Sequence, residues 1–176
     1  MRFKLSLLIG LSALAACSAP PPPPPSPQAP PPKPAVAAAP PPVAKPVGDW
    51  TDWPLTEGDW IYRQDERGSI ALFGPPNADA TVTLRCDRAR QRIYLARAGS
   101  AAGSIVIRSS SAMKEFAGQA TGGAMPYIAT EIMPRDAILD AMIFSRGRIA
   151  IDVAGQTPLA IPSWAEIGRV VEDCRG

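Results

Sequence analysis

The chain has 176 residues, with 18 basic against 16 acidic side chains, 22 prolines, three cysteines and no histidine. Without histidine no Ser-His-Asp triad, no Cys-His pair and no ordinary zinc site is expected, which excludes the usual amidases, cysteine-dependent transpeptidases and most metal-assisted hydrolases. The basic excess is local. Arg2, Lys4, Lys33 and Lys45 precede residue 48 and every acidic residue follows it, so the rest of the chain carries net −2 and no nucleic-acid partner is expected.

In chain order, Arg2 and Lys4 come first, followed by twelve uncharged residues from Leu5 to Ala16, mostly Leu, Ile and Ala. This is the layout of an export signal. Twelve helical residues span about 18 Å, too short for a hydrocarbon core of about 30 Å. The stretch ends in Leu14-Ala15-Ala16-Cys17, which resembles the lipobox of bacterial lipoproteins. That resemblance implies cleavage before Cys17, lipidation of its thiol and acylation of the new amine, giving the two or more acyl chains that stable anchoring needs. Ser18 stands where an aspartate would favour inner-membrane retention, so the resemblance implies an outer-membrane lipoprotein facing the periplasm.

Pro20 to Pro46 holds 15 of the 22 prolines, with Lys33 and Lys45 its only charges. Such a segment has no apolar periodicity and few backbone donors, and reads as an extended polyproline II tether reaching up to about 80 Å. At Gly48 the composition changes: Trp50, Trp53, Trp60 and Tyr62 arrive together and alternation begins. The expected organisation is a signal peptide at 1–16, the lipidated cysteine and tether at 17–47, and one periplasmic domain at 48–176.

Within that domain, alternation predicts strands near Trp60–Arg63, Ser69–Phe73, 80–86 (Val82, Leu84 and Cys86 on one face), Ile93–Leu95, Ile105–Ile107, Tyr127–Ile132, Arg148–Val153 and Pro158–Ile161. Gly74-Pro75-Pro76, Asp87 to Arg90 and Gly99 to Gly103 read as turns. Ile138, Leu139, Met142 and Ile143 fall at helical spacing within 135–144, with Pro134 as a first residue and Gly147 past the end. A last helix follows Ser163, with Ser163 and Glu166 read as a capping box. Its apolar face carries Trp164, Ile167, Val170, Val171 and Cys174. The expected fold is mainly β, a β-sandwich or open barrel with a short internal helix and a C-terminal helix, α+β.

With Cys17 lipidated, Cys86 and Cys174 remain as a pair in an oxidising compartment, both inward by independent periodicities. A disulfide is expected, closing a loop of about 90 residues and worth up to about 4.5 kcal/mol in the chain-entropy model.

Candidate chemistry is sparse. Ser111-Ala112-Met113-Lys114 matches S-x-x-K, but its companion motifs are absent and the serine run reads as a strand end. Asp136 and Asp140, and Glu172 with Asp173, read as solvated helix faces rather than paired catalytic acids. Arg85, Arg88, Arg90, Arg92 and Arg97 form the densest basic run. Arg88, Arg90 and Arg92 are candidates for binding phosphate or carboxylate on a lipid headgroup or cell-wall peptide, as are Arg146 and Arg148 at a helix-to-strand corner. The lipobox, a small β domain and two such cysteines also resemble the membrane-bound lysozyme inhibitors, whose Ser-Gly-x-x-Tyr loop and Lys-Gly segment enter the lysozyme cleft. Here Gly123 to Tyr127 and Arg146-Gly147 stand in those places, without the serine. The expected function is non-catalytic and without metal or cofactor: a membrane-anchored domain that binds an envelope protein or cell-wall component, or alternatively inhibits a lysozyme or protease.

Overall fold

The computed structural model describes residues 46–100 and 103–176. The signal, Cys17 and the tether up to residue 45 lie outside the described residues. A short 3-10 turn at Trp50–Asp52 leads into nine strands: β1 (Asp59–Asp65), β2 (Gly68–Gly74), β3 (Val82–Asp87), β4 (Arg92–Ala98), β5 (Gly103–Arg108), β6 (Met113–Ala120), β7 (Tyr127–Ile132), β8 (Arg148–Val153) and β9 (Leu159–Pro162). Helix α1 (Ala137–Ile143) joins β7 to β8, and α2 (Ala165–Arg175) follows β9.

All strands lie in one antiparallel sheet, in the order β1-β2-β3-β4-β7-β6-β5-β8-β9. It is therefore a single curled sheet, a half-barrel rather than a two-sheet sandwich. The inner face can be followed across the wall through directly paired residues: Trp60 opposite Phe73, Phe73 opposite Val82, Leu84 opposite Leu95, Ile93 opposite Ile132, Ile105 opposite Val153 and Ile149 opposite Ile161. Pairing at period two puts one residue set on one face, and here that set is almost uniformly apolar and buried.

The helices complete the core. Ile167, Val170 and Val171 of α2 are fully buried against the same cluster, at about 1.5–3 kcal/mol each. Cys86 on β3 and Cys174 on α2 form a disulfide with Cα atoms 5.4 Å apart, as both periodicities require. Tyr62 on β1 donates to Asp173 Oδ2 at 2.5 Å, and Arg175 holds α1 through Pro134 O and Asp140 Oδ1, both at 2.8 Å. The sheet's two edges are bridged by a side chain, since Trp60 Nε1 on β1 donates to Pro162 O on β9 at 2.9 Å.

Among the described residues, one buried inward position is charged. Arg97 follows Ile93 and Leu95 on the inner face of β4 and donates to Ile151 O at 3.3 Å and to Thr157 O. Burial lowers its pKa to about 10, opposed by the nearby charge of Asp152, so the group stays protonated at neutral pH.

Four expectations need correction. Helix α1 starts at Ala137 with Asp136 as its cap, because the Asp136 carboxylate takes up Ile138 N, and not at Pro134. Trp164 precedes α2 and is exposed, so it does not join that helix's packed face. The capping box does not form: Trp164 is the cap residue of α2 and makes no side-chain capping bond. The Ser163 hydroxyl instead donates to Met142 O at 2.5 Å, adding a side-chain donor to a carbonyl at the end of α1 that also accepts from Ser145 N. And β6 is a full strand where no alternation announced one, because most of its side chains are exposed.

Candidate functional site

The five arginines nominated as binding residues fall into two groups at different places. Arg88, Arg90 and Arg92 surround the β3–β4 turn. There Asp87 organises the backbone, its Oδ1 accepting from Arg90 N at 3.1 Å and its Oδ2 from Arg67 at 3.0 Å. The Arg67 hydrogen bond, helped by Arg90 N, holds the Asp87 carboxyl below the usual range. Arg92 is engaged three ways, with Glu131 Oε1 at 2.6 Å and with the carbonyls of Arg90 and Gln91. Arg88 lies 4.0 Å from Asp173, and Arg90 is drawn to Tyr94 and Asp87. The turn is thus internally balanced, its guanidiniums facing acids that lie far away in sequence.

Arg146 and Arg148 are different. Chain reversal after α1 is made by Gly147, whose φ of +79° suits a residue without Cβ. Ser145 Oγ accepts from Ser110 N at 3.0 Å and donates to Arg148 O at 2.5 Å, while Ser110 Oγ accepts from Arg146 N at 3.1 Å. These reciprocal bonds fix the 145–148 corner against the turn between β5 and β6. That turn is itself held by Ser109 Oγ, which accepts from Ser111 N and Ala112 N. A third wall comes from the 3-10 turn, where Asp49 Oδ1 accepts from Thr51 N at 2.9 Å and Thr51 Oγ1 at 2.6 Å. Those two bonds, with a smaller contribution from the charge of Arg108, keep the Asp49 carboxyl below its ordinary value.

Between the three walls lies a cleft of about 520 Å³ lined by Asp49 to Thr51, Ser109, Ser110, Arg146 and Arg148. Arg148 donates from Nη1 to Trp53 O at 2.7 Å, which orients its guanidinium and leaves the other N–H groups for the cleft. Among the described residues, neither Arg146 nor Arg148 has a carboxylate within ion-pair distance. Trp53 packs on Ala150 and Ala160, the small residues of the outer face of β8 and β9, with half-buried Trp50 against them. The result is an apolar ring, several hydroxyls, two guanidiniums and, on the 3-10 wall, the Asp49 carboxylate turned to Thr51, around one concavity. Such a set can grip a carboxylate or phosphate through planar forks while an attached apolar or ring portion lies on the indole. Trp50, Thr51 and the serines were not nominated from sequence; the clustering of tryptophans at the domain's start was the only signal.

The remaining candidates are dispersed. Lys114 Nζ lies 2.5 Å from Asp136 Oδ2 and is not directed at Ser111, whose N–H is held by Ser109 Oγ. Asp136 caps α1 through Ile138 N, and Asp140 pairs with Arg175, so the two acids serve different cations. Gly123 to Tyr127 precedes β7, and Arg146-Gly147 precedes β8. By the pairing of Ala120 with Ile128, Gly103 with Gly118 and Arg108 with Ala150, the two segments sit at opposite ends of the strands. Tyr127 turns its hydroxyl to Ala80 O at 2.6 Å.

Comparison with protein-family models, curated proteins and solved structures yields no match.

Proposed function

We propose that the chain is a non-catalytic lipoprotein, anchored in the outer membrane through lipidated Cys17. Its tethered periplasmic domain holds an anionic envelope component in the Arg146–Arg148 cleft. The observation that carries this reading is the pair of guanidiniums without a carboxylate partner, set in a concavity beside Trp50. At the β3–β4 turn, by contrast, Arg88 and Arg92 face acids of their own chain. A carboxylate of the cell-wall peptide suits the forks and the hydroxyls, and a proline-rich reach of up to about 80 Å suits a ligand away from the membrane. Lysozyme inhibition is not adopted, because the two segments it would use lie at opposite ends of the sheet.

Sedimentation of the protein with purified cell-wall sacculi tests the cleft. Arg146→Ala/Arg148→Ala should weaken binding by about tenfold or more, while Arg88→Ala/Arg90→Ala leaves it unchanged; equal retention of all three proteins would refute the reading. The anchor is tested separately by metabolic labelling with a fatty acid, which Cys17→Ala should abolish while releasing the protein from membranes.

A further inference from the structure

A second concavity arises from the way β6 leaves β7. Strand β6 is laddered to β5 over its residues 113–118, but to β7 only at Gln119 with Ala129 and Ala120 with Ile128. On its other side β7 is laddered to β4 along its whole length. Beyond Ala129 the two strands therefore part, β6 following β5 and β7 following β4. Gly118 marks the pinch. A Cβ there would lie 2.5 Å from Gly103 O and 2.7 Å from Ile128 Cγ2, so no side chain fits at this point.

The parting leaves a wedge of about 540 Å³ whose lining includes Tyr94, Phe116, Ala117, Ala129, Thr130 and Glu131. Its floor is inward-facing, with Phe116 opposite Ile105 on β5 and Thr130 opposite Leu95 on β4. At the wide end Lys114, also on the inward face, reaches Asp136. Among the described residues, the two walls are strand edges without a ladder partner on the wedge side: Met113 to Gly118 on one side and Thr130 to Ile132 on the other. Alternate residues of each direct N–H and C=O groups into the wedge, where another strand can take them up. Six residues at about 3.3 Å each make an edge of about 20 Å, the length of an ordinary strand.

We infer that this wedge receives an extended peptide from a partner protein by strand addition, with a basic residue on the peptide's outward face. The main-chain edges provide the affinity and the floor favours a small or apolar inward residue. Charge decides the outward side. Glu115 on β6 and Glu131 on β7 both point outward, as their partners Val106 and Tyr94 do. Continuing the register of Gln119 with Ala129 puts Glu131 level with Ala117, two residues from Glu115. One cation on an inserted strand lies within cross-strand and diagonal reach of both carboxylates. Glu115 has no cation within ion-pair distance among the described residues, and Glu131 has only Arg92.

The test uses the mature full-length chain and an array of acetylated, amidated heptapeptides of alternating Val and Thr, with Lys, Ala or Glu at the centre. Lys peptides should be retained and Glu peptides not, and N-methylation of alternate amides should abolish retention. On binding, amides in 114–118 and 130–132 should exchange more slowly. Glu115→Lys and Glu131→Gln should each weaken retention by up to about fivefold, while Arg146→Ala/Arg148→Ala leaves it unchanged, which separates this wedge from the arginine cleft. Any of three results overturns the inference: no peptide retained, retention indifferent to the central charge, or amide protection that rises with the protein's own concentration as it dimerises.

Discussion

At the ends of the strand order β1 and β9 meet without a ladder, and in the middle of it β6 and β7 separate after two residue pairs. The first gap is sealed from within. Trp60 spans it by a hydrogen bond to Pro162 O, and α2, lying across β1 to β4 and held to β3 by the disulfide, fills the space behind. The second gap is crossed by a side-chain ion pair, from Lys114 on β6 to Asp136, the cap of α1 beyond β7. A half-buried Phe116, one ion pair and two rows of main-chain groups define it. The contrast teaches that an interruption in a sheet is stabilising only where apolar side chains replace the missing ladder. Where they do not, the strand edges stay available for pairing.

The largest expected effect concerns the sealed gap. Reduction, or Cys86→Ala/Cys174→Ala, should lower stability by about 2–5 kcal/mol in a denaturant titration. Amides of Ile167 to Cys174 should then exchange before those of β3 and β4; simultaneous exchange would mean that helix and wall form one unit. Gly118→Ala acts on the open gap. Its added methyl meets backbone and Ile128, and should cost about 1–3 kcal/mol, read as a shift in denaturation midpoint. Trp60→Phe keeps the ring but removes the donor to Pro162 O, at about 1–2 kcal/mol. If that substitution is silent, apolar packing alone seals the edges.

Smallest is the ion pair at the mouth of the wedge, where Lys114→Met should change stability by less than about 1 kcal/mol. Burial raises the Asp136 carboxyl, but the bonds from Lys114 and Ile138 N more than offset this and leave it below 3.8. The unfolded chain therefore binds its proton more readily. Asp136 contributes fully at pH above about 4, and the contribution fades as pH falls through the depressed folded value. In Lys114→Met this acid-side loss should shrink, which thermal midpoints between pH 2 and pH 6 would record.

Much of the inner face was legible because burial imposes period two. Val82, Leu84 and Cys86, or Ile149, Ile151 and Val153, could hardly be read otherwise. The same physics hid β6. A strand with one free edge and an exposed outer face needs no apolar alternation, and Met113 to Ala120 has none. Ser163 misled for another reason: a serine followed three residues later by a glutamate satisfies the local pattern, yet a carbonyl of α1 claims the hydroxyl. Among the arginines, charge density pointed first to the β3–β4 turn and only second to the Arg146 corner. What separates them is tertiary, since Glu131 and Asp173 reach the turn from distant strands and helices.

The buried guanidinium of Arg97 has a mechanical consequence. It belongs to β4, on one side of the open gap, while its acceptors Ile151 O and Thr157 O belong to β8 and the loop after it, on the other. It works as a spoke across the hub of the half-barrel, in parallel with the rim. Drawing the two sides apart as rigid plates would strip both carbonyls from a cation held away from water, a steep resistance. Peeling β6 outward at its Met113 end disturbs neither. The compliant motion of this wall is therefore a local flexing of one strand, with the diameter of the barrel held constant.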